Sequence, residues 1–303
     1  MDRSSGCRQI EVYDEMQGTG IPLAVLYPTS GPERIERFGP YTLDVARDAP
    51  VLGEELALIV ISHGNGGTPW VYRDLAKYLA YAGFVVALPE HPGNSRNDNS
   101  LAGTAANLEN RPRHVSLTID AVLRDAEIKR RLASERVGVI GHSIGGYTGL
   151  AVAGGKPWAA PHESADGKAH PVAVKRDDRV SALVLLAPAT FWFMPDSLRD
   201  VRVPILMRAG EKDEFTDASH AESVMRGVFD AALVEHEVIA GAGHFFALSP
   251  FPREMVRADF PPSQDPAGFH REEIQPALYA DIAEFFQRTL EGKGRLFSAF
   301  SII

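Results

Sequence analysis

The chain has 303 residues, of which 45% are hydrophobic and 23% are charged, and its formal net charge at pH 7 is −9. This length and composition are typical of a globular protein with a large core, and the negative charge argues against nucleic acid or an anionic membrane as the main partner. The single cysteine, Cys7, excludes an intramolecular disulfide and fits a reducing compartment, so a cytoplasmic protein is expected.

The N-terminal segment and the hydrophobic stretches give no sign of membrane attachment. No apolar run precedes Cys7, which argues against a lipoprotein signal over the first residues. No stretch approaches the roughly 20 apolar residues that a membrane-spanning helix needs. We therefore expect no membrane span.

The first part of the chain predicts a hairpin and two long polar segments. Residues 8–16 and 21–27 flank a Gly-rich turn at 17–20, which predicts two paired strands. Residues 29–55 carry many charges and two Gly-Pro pairs, which predict a long surface connection. Residues 89–110 are too polar for the core and predict a loop.

Short apolar runs alternate with helical segments over the rest of the chain. Buried parallel strands are predicted at 56–61, 84–88, 182–187, 204–209 and 234–239, and one more begins at Val137. Helices are predicted at 70–81, 113–131, 217–228 and 272–290. Residues 154–179 and 245–270 predict loop or lid-like insertions. This alternation indicates a single α/β domain over 1–303, with a mostly parallel sheet flanked by helices.

The segment Gly141-His142-Ser143-Ile144-Gly145 joins the apolar run from Val137 to a helix-compatible run at 147–153. A strand that reverses sharply into a helix strains its central residue and crowds the positions two before and two after it, so these must be small. The central hydroxyl then projects at the start of the helix, where free N–H groups favour negative charge. The pattern predicts Ser143 as a nucleophile.

Candidate partners for Ser143 follow two later strands. A serine hydroxyl needs an imidazole to take its proton and a carboxylate to orient that imidazole. His244 follows the strand at 234–239, and Asp213 follows the strand at 204–209. The carboxyl ends of parallel strands share one sheet edge, so His244 is the predicted base and Asp213 the predicted acid. Nearby carboxylates remain alternatives for the acid, namely Glu211, Glu214 and Asp217.

Two backbone N–H groups are candidates for an oxyanion hole, because charge that develops on a carbonyl oxygen needs preorganised donors. One is the N–H of Ile144, directly after Ser143. The other lies in residues 62–67, Ser-His-Gly-Asn-Gly-Gly, whose glycines allow close approach of the substrate. We favour the N–H of Asn65, which would leave its side chain free to line the pocket.

At these motifs the chain resembles the α/β-hydrolases, in particular the group called predicted dienelactone hydrolases, and is similar to platelet-activating factor acetylhydrolases. Four stretches of the sequence and the pair Gly243-His244 carry the resemblance. The stretches are residues 62–67, 90–94, 111–115 and 141–146. It implies an eight-stranded, mostly parallel sheet, a Ser-Asp-His triad, and an ester or similar acyl substrate without a cofactor.

The chain departs from these relatives at two positions. Enzymes strictly called dienelactone hydrolases have a cysteine nucleophile where this chain has Ser143, which argues against dienelactone as the substrate. The acetylhydrolases place their acid after the strand that follows the nucleophile strand, where residues 186–190 here contain no carboxylate. The acid is therefore expected one strand later, at Asp213.

Aromatic residues near the predicted site favour an apolar pocket. Phe191 and Trp192 follow a strand at the same sheet edge, and Phe245 follows His244. For Phe191 and Trp192, core packing is an equal alternative. For Arg111, a structural ion pair is favoured over binding of a substrate carboxylate.

These expectations together indicate a serine hydrolase of carboxylic esters that acts on a small-molecule acyl substrate without a cofactor. A lactonase, a thioesterase or an amidase with the same triad remains open. So does a ligand-binding protein on the same scaffold, which predicts a missing triad member. No metal is expected, because the spacing of the candidate histidines fits no common ligand pattern; they are His63, His91 and His142.

Overall fold

The structure, a computed structural model, describes residues 4–290 except the side chains of Ser134 and Glu135. The domain was expected over residues 1–303, so its first three and last thirteen residues lie outside the described range. Residues 1–3 also belong to the segment considered for a lipoprotein signal. The described strands are β1 (Ser4–Asp14), β2 (Thr19–Thr29), β3 (Arg34–Phe38), β4 (Tyr41–Arg47), β5 (Leu56–Ser62), β6 (Phe84–Pro89), β7 (Leu132–His142), β8 (Trp158–Ala159), β9 (His170–Pro171), β10 (Val180–Leu186), β11 (Ile205–Gly210) and β12 (Val234–Ile239).

One sheet contains ten of these strands, in the order β12-β11-β10-β7-β5-β6-β2-β1-β4-β3, and β8 pairs separately with β9. The strands from β12 to β6 run parallel to their neighbours. The pairs β2–β6 and β1–β2 are antiparallel. Because the parallel strands all end at the same edge, the loops that follow β5, β7, β10, β11 and β12 meet there.

Helices cover both faces of the sheet. They are α1 (Arg73–Ala82), α2 (Ala105–Arg124), α3 (Ala126–Lys129), α4 (Ile144–Val152), α5 (Ala218–Gly227) and α6 (Arg271–Leu290). Ile59 and Ile61 of β5 belong to the apolar cluster that contains α1 and α6, whereas Leu58 and Val60 belong to the cluster that contains α2 and α4. Since both faces are buried, the central strands are continuous apolar runs. The mostly parallel sheet flanked by helices is confirmed.

The expected strand number of eight is wrong, because residues 29–55 are not only a surface connection. They contain the hairpin of β3 and β4, which turns at Gly39 with φ +61° and extends the sheet to ten strands. In β4, buried and exposed residues alternate from Tyr41 to Val45. The charged side chains that favoured a connection lie on the solvent side of this edge hairpin, a position where charges are common.

The loop expected over residues 89–110 ends earlier than expected, because α2 begins at Ala105. The Thr104 side chain accepts a hydrogen bond of 3.2 Å from the Asn107 N–H and so caps the helix. The first turns of α2 are polar but buried, since Asn107, Asn110 and Arg111 face the interior. The helix expected over 113–131 is divided at Asp125, whose side chain caps α3.

The two expected insertions differ in structure. Residues 154–179 contain the short β8–β9 ribbon. Residues 245–270 contain two single 3-10 turns, Arg253–Met255 and Pro261–Ser263, and bury Phe246 and Leu248 in the core. The interpretation of residues 245–270 as a loop or lid-like insertion stays a prediction.

We expect Phe286→Ala to lower the free energy of unfolding by about 3–5 kcal/mol, the usual cost of deleting a buried phenylalanine ring. Phe286 is fully buried, and a Cβ added at Gly138 of β7 would lie 2.4 Å from its ring, so α6 packs directly on the sheet there. Urea denaturation measures the change. Ile35→Ala, at a residue that is 77% exposed, is the control and should change stability by less than about 0.5 kcal/mol. Equal losses in the two variants would contradict this packing.

Candidate active site

Ser143 lies in the tight turn between β7 and α4 with φ +56° and ψ −122°. A Cβ added at Gly141 would lie 2.0 Å from the carbonyl oxygen of Gly145, and one added at Gly145 would lie 2.0 Å from the carbonyl oxygen of Ser62. No side chain fits at such distances, so only glycine is tolerated at these two positions. The two glycines therefore allow the start of α4 to lie against the ends of β7 and β5.

Hydrogen bonds hold the backbone of Ser143 in this strained conformation. Its N–H donates to the carbonyl oxygen of Leu186 at 3.1 Å, and its carbonyl oxygen accepts from Ala189 at 2.9 Å and from Gly146 at 2.8 Å. A positive φ at a residue other than glycine persists when the surroundings determine it in this way. The half-buried Ser143 side chain is thus presented at the sheet edge where the strand-following loops meet.

Asp213 and His244 form a buried hydrogen-bonded pair at the same edge. His244 Nδ1 lies 2.8 Å from Asp213 Oδ2, and the two residues are only 6% and 7% exposed. Asp213 Oδ1 accepts from the N–H groups of Phe215 and Thr216 at 2.8 Å each, and Oδ2 accepts from the Thr216 hydroxyl at 2.7 Å. Burial alone would raise the pKa of the Asp213 carboxyl, but the hydrogen bonds from His244 and Thr216 outweigh burial and lower it.

The ionised Asp213 is a hydrogen-bond acceptor only, so Nδ1 of His244 carries the proton and Nε2 presents a lone pair. The competing carboxylates are exposed and have other partners or none: Glu211 accepts from the Gly241 N–H at 2.8 Å, and Asp217 caps α5. Glu214 is exposed and makes no hydrogen bond or ion pair with His244 among residues 4–290. Only Asp213 among these carboxylates is placed to orient the imidazole.

Ser143 and His244 lie in segments that follow β7 and β12, which end at the same edge of the sheet. The ring of His142, the residue before Ser143, lies 4.9 Å from the ring of His244 between centroids. No hydrogen bond joins the Ser143 hydroxyl to His244 among residues 4–290. Catalytic hydrogen bonds are often long without substrate and tighten when substrate binds.

The loop that follows β5 passes directly beside the nucleophile candidate. A Cβ added at Gly64 would lie 3.5 Å from the Cβ of Ser143. The N–H groups of Asn65 and Ile144 have no acceptor among residues 4–290, so both are available as donors. The Asn65 side chain was expected to be free, which is wrong, because its Oδ1 accepts a hydrogen bond of 2.7 Å from Asn94.

Arg111 is fully buried and donates hydrogen bonds to the end of β5, to the segments that follow β5 and β6, and to α4. Its guanidinium donates to Thr148 Oγ1 at 3.0 Å, to Asn94 Oδ1 at 2.6 Å, to Ser62 Oγ at 3.2 Å and to the carbonyl oxygen of His63. The expected ion pair is wrong, since every one of these acceptors is neutral. Burial lowers the pKa of Arg111 to about 9, which leaves it charged at neutral pH.

A row of buried histidines extends from Ser62 toward the first hairpin. His91 Nε2 lies 2.9 Å from Ser62 Oγ, His91 Nδ1 lies 3.1 Å from His114 Nδ1, and His114 Nε2 lies 2.7 Å from Gln17 Oε1. Burial lowers the pKa of His91 and of His114, so both rings are neutral at pH 7. Within residues 4–290 no group of histidine, cysteine and carboxylate side chains is arranged to hold a metal ion.

The aromatic residues expected to line a pocket lie in different environments. Phe245 and His244 line a cavity of about 340 Å³, whose other lining residues include Phe215, Pro261 and Pro266. Phe191 is 66% exposed and is not among its lining residues. Trp192 also lies outside it, donates to Glu163 Oε1 at 2.8 Å and packs edge-on against Tyr147.

Sequence reasoning missed two residues that contact the Asp213–His244 pair. The Thr216 hydroxyl lies 3.2 Å from His244 Nδ1 as well as donating to Asp213, and the Phe215 ring lies 5.0 Å from the His244 ring. The spacing Asp213-x-x-Thr216 was the available signal, because an aspartate commonly accepts hydrogen bonds from the residues two and three positions later.

A family model described as alpha/beta hydrolase fold matches residues 57–199. The chain is 26% identical over 235 residues to Cutinase est2 of Thermobifida alba, an alignment that covers 73% of this chain and 66% of the cutinase, slightly under two thirds of its length. It is 26% identical over 208 residues to a Bradyrhizobium sp. protein named as a probable 2-oxo-3-(5-oxofuran-2-ylidene)propanoate lactonase, with coverage of 65% and 76%.

Among solved structures, a ferulic acid esterase from Streptomyces cinnamoneus superposes with a TM-score of 0.69. The superposition covers 97% of this chain and 92% of the esterase, at 17% sequence identity. At this identity the likeness concerns the fold alone. No helix within residues 4–290 has the length and hydrophobicity required to cross a membrane.

The buried histidines predict that stability falls as the solution becomes mildly acidic. Burial lowers the pKa of His63 and of His142 to about 3, whereas an unfolded histidine has a pKa of about 6.5. Unfolding below pH 6.5 therefore takes up protons, and each of these two histidines lowers the free energy of unfolding by about 1.4 kcal/mol per pH unit between pH 6.5 and 3. Urea denaturation at pH 7.5, 6.0 and 5.0 measures this loss.

The exposed His162 provides the matched control, since His162→Gln should leave the pH dependence unchanged. Equal stability of the parent protein at pH 7.5 and 5.0 would show that the buried histidines are not neutral in the folded state.

Proposed function

The chain has the α/β-hydrolase fold, and on that premise we propose that it is a serine hydrolase of carboxylic esters. The observation that carries the proposal is the buried Asp213–His244 pair with its 2.8 Å hydrogen bond, at the sheet edge that also presents the strained Ser143. A carboxylate that holds an imidazole by Nδ1 leaves Nε2 to act as a base. The name of the cutinase supports an ester as the substrate class.

In the proposed reaction, the Ser143 hydroxyl attacks the ester carbonyl carbon while Nε2 of His244 takes the hydroxyl proton. The N–H groups of Asn65 and Ile144 donate to the oxyanion, each such donor contributing about 2.7–4 kcal/mol to lowering the barrier. His244, held by Asp213, then gives its proton to the departing alcohol. Water, deprotonated by His244, attacks the acyl-enzyme, and the acid is released with Ser143 restored.

A lactone is the second candidate substrate, favoured by the lactonase name of the Bradyrhizobium relative. The same attack on a cyclic ester opens the ring, and the alcohol stays attached to the acyl group until water releases both. A panel of short esters and five-membered lactones distinguishes the two substrate classes. The ester proposal predicts a larger kcat/KM for the esters.

We expect Ser143→Ala to abolish hydrolysis of short p-nitrophenyl esters, because alanine has no hydroxyl to attack the ester carbonyl. Loss of a triad serine typically lowers kcat by about 10⁶. A fluorophosphonate probe should label Ser143 in the folded parent protein and should not label the variant. Hydrolysis by Ser143→Ala at the parental rate would refute the nucleophile assignment, and absence of labelling in the parent would favour a protein that only binds ligands.

We expect Asp213→Asn to lower kcat by up to about 10⁴, because an amide favours the wrong tautomer of His244. The exposed neighbours offer matched controls, and Glu211→Gln and Glu214→Gln should keep kcat within about twofold of the parent, as surface substitutions usually do. Steady-state kinetics on the same ester measure all three variants. A larger loss in Glu211→Gln or Glu214→Gln than in Asp213→Asn would identify a different acid.

A further inference from the structure

His142 is fixed on both sides of its ring by buried hydrogen bonds that the proposed chemistry does not use. Its Nε2 lies 2.9 Å from the carbonyl oxygen of His244, and its Nδ1 lies 2.9 Å from the hydroxyl oxygen of Tyr72. The same hydroxyl oxygen accepts a hydrogen bond of 3.3 Å from the Gly64 N–H. His142 is 2% exposed and Tyr72 is 1% exposed, so water does not compete for these groups.

The partners of this ring determine where its proton lies. A carbonyl oxygen only accepts, so Nε2 of His142 carries the proton and donates a hydrogen bond to the carbonyl oxygen of His244. Burial holds the pKa of His142 at about 3, so the ring is neutral and Nδ1 is a bare acceptor. Because the Gly64 N–H already donates to the Tyr72 oxygen, the Tyr72 hydroxyl is left to donate to Nδ1. The hydrogen bonds therefore have one direction, from Gly64 through Tyr72 and His142 to His244.

This series of hydrogen bonds connects three of the four loops of the proposed site, all except the loop of Asp213. Gly64 directly precedes Asn65, one proposed oxyanion donor, and His142 directly precedes Ser143. At its far end the series reaches the backbone of His244, the proposed base. The loops of Asn65 and His244 are thereby both connected to His142 by hydrogen bonds between buried groups.

We propose that His142 and Tyr72 are positioning residues that hold the Asn65 loop and the His244 loop in register with Ser143. The inference rests on the proposed function, since it assigns these residues a role in that reaction. Misplacement of catalytic groups by about 1 Å can lower the reaction rate about 100-fold. Loss of these hydrogen bonds does not remove any group that binds substrate. Loss of the series therefore lowers kcat and leaves KM nearly constant.

Tyr72→Phe is the primary test, because it removes one hydroxyl and keeps the ring. Its kcat for a short p-nitrophenyl ester should fall by about 10–100-fold, with KM within about twofold. Tyr27→Phe is the matched control: Tyr27 is fully buried on β2, and its hydroxyl donates to the carbonyl oxygen of Ala49 at 2.9 Å, far from the loops of the site. Tyr27→Phe loses one hydrogen bond and Tyr72→Phe loses two, so the melting temperature should fall in both variants, while only Tyr72→Phe loses kcat.

Two substitutions of His142 test the ends of the series separately. The amide of His142→Gln reaches the position of Nε2 and can still donate to His244, whereas the amide of His142→Asn reaches the position of Nδ1 and can still accept from Tyr72. Each should retain a kcat at least about tenfold above that of His142→Leu, which makes neither bond. Rescue by polar isosteres would not follow from a role in packing alone.

The inference fails if Tyr72→Phe keeps a kcat within twofold of Tyr27→Phe, or if folded His142→Gln and His142→Asn are no more active than His142→Leu. Measurement of Ser143→Ala beside these variants separates the two proposals. An active Ser143→Ala overturns the proposed function. An inactive Ser143→Ala together with an unaffected Tyr72→Phe overturns only the positioning role.

Discussion

The strained backbone of Ser143 is the constraint on which the arrangement of the site depends. A residue with a side chain is held at φ +56° because Gly141 and Gly145 allow the turn to close against the carbonyl oxygen of Ser62. This close contact places the loop that follows β5 beside the nucleophile candidate. The order of the strands in the sheet therefore determines which loops lie next to Ser143. The parallel strands then bring the loops of Asp213 and His244 to the same edge.

Beneath these loops lies a polar interior that satisfies its own hydrogen bonds. Arg111 is its buried cation, and its four acceptors are neutral groups of the loops and of α4. The neighbouring histidines stay neutral because burial lowers their pKa values. Buried polar groups destabilise the fold when they lack hydrogen bonds and make it rigid when they are fully paired, so this network fixes the loop positions. Because its histidines are neutral when buried, acid lowers the stability of the folded state.

The sequence predicted the central strands and the turn at Ser143, because buried parallel strands are continuous apolar runs and the turn demands glycine at two defined positions. It did not predict β3 and the start of α2. The charges of β3 suit both an edge hairpin and a loop. The polar start of α2 is buried because it packs on distant segments, as the bonds from Arg111 to Ser62 and Asn94 show. Which polar residues face inward depends on contacts between distant segments, which local pattern does not encode.

The central claim is that Ser143, His244 and two backbone amides act together on one acyl carbon. A crystal structure of the protein inactivated by a small alkyl fluorophosphonate tests it most directly, because the phosphorus adduct is tetrahedral like the intermediate. The account predicts phosphorus bonded to Ser143 Oγ, with the phosphoryl oxygen within about 3.1 Å of the amide nitrogens of Asn65 and Ile144. An adduct on another residue, or a phosphoryl oxygen directed away from both amides, would contradict it.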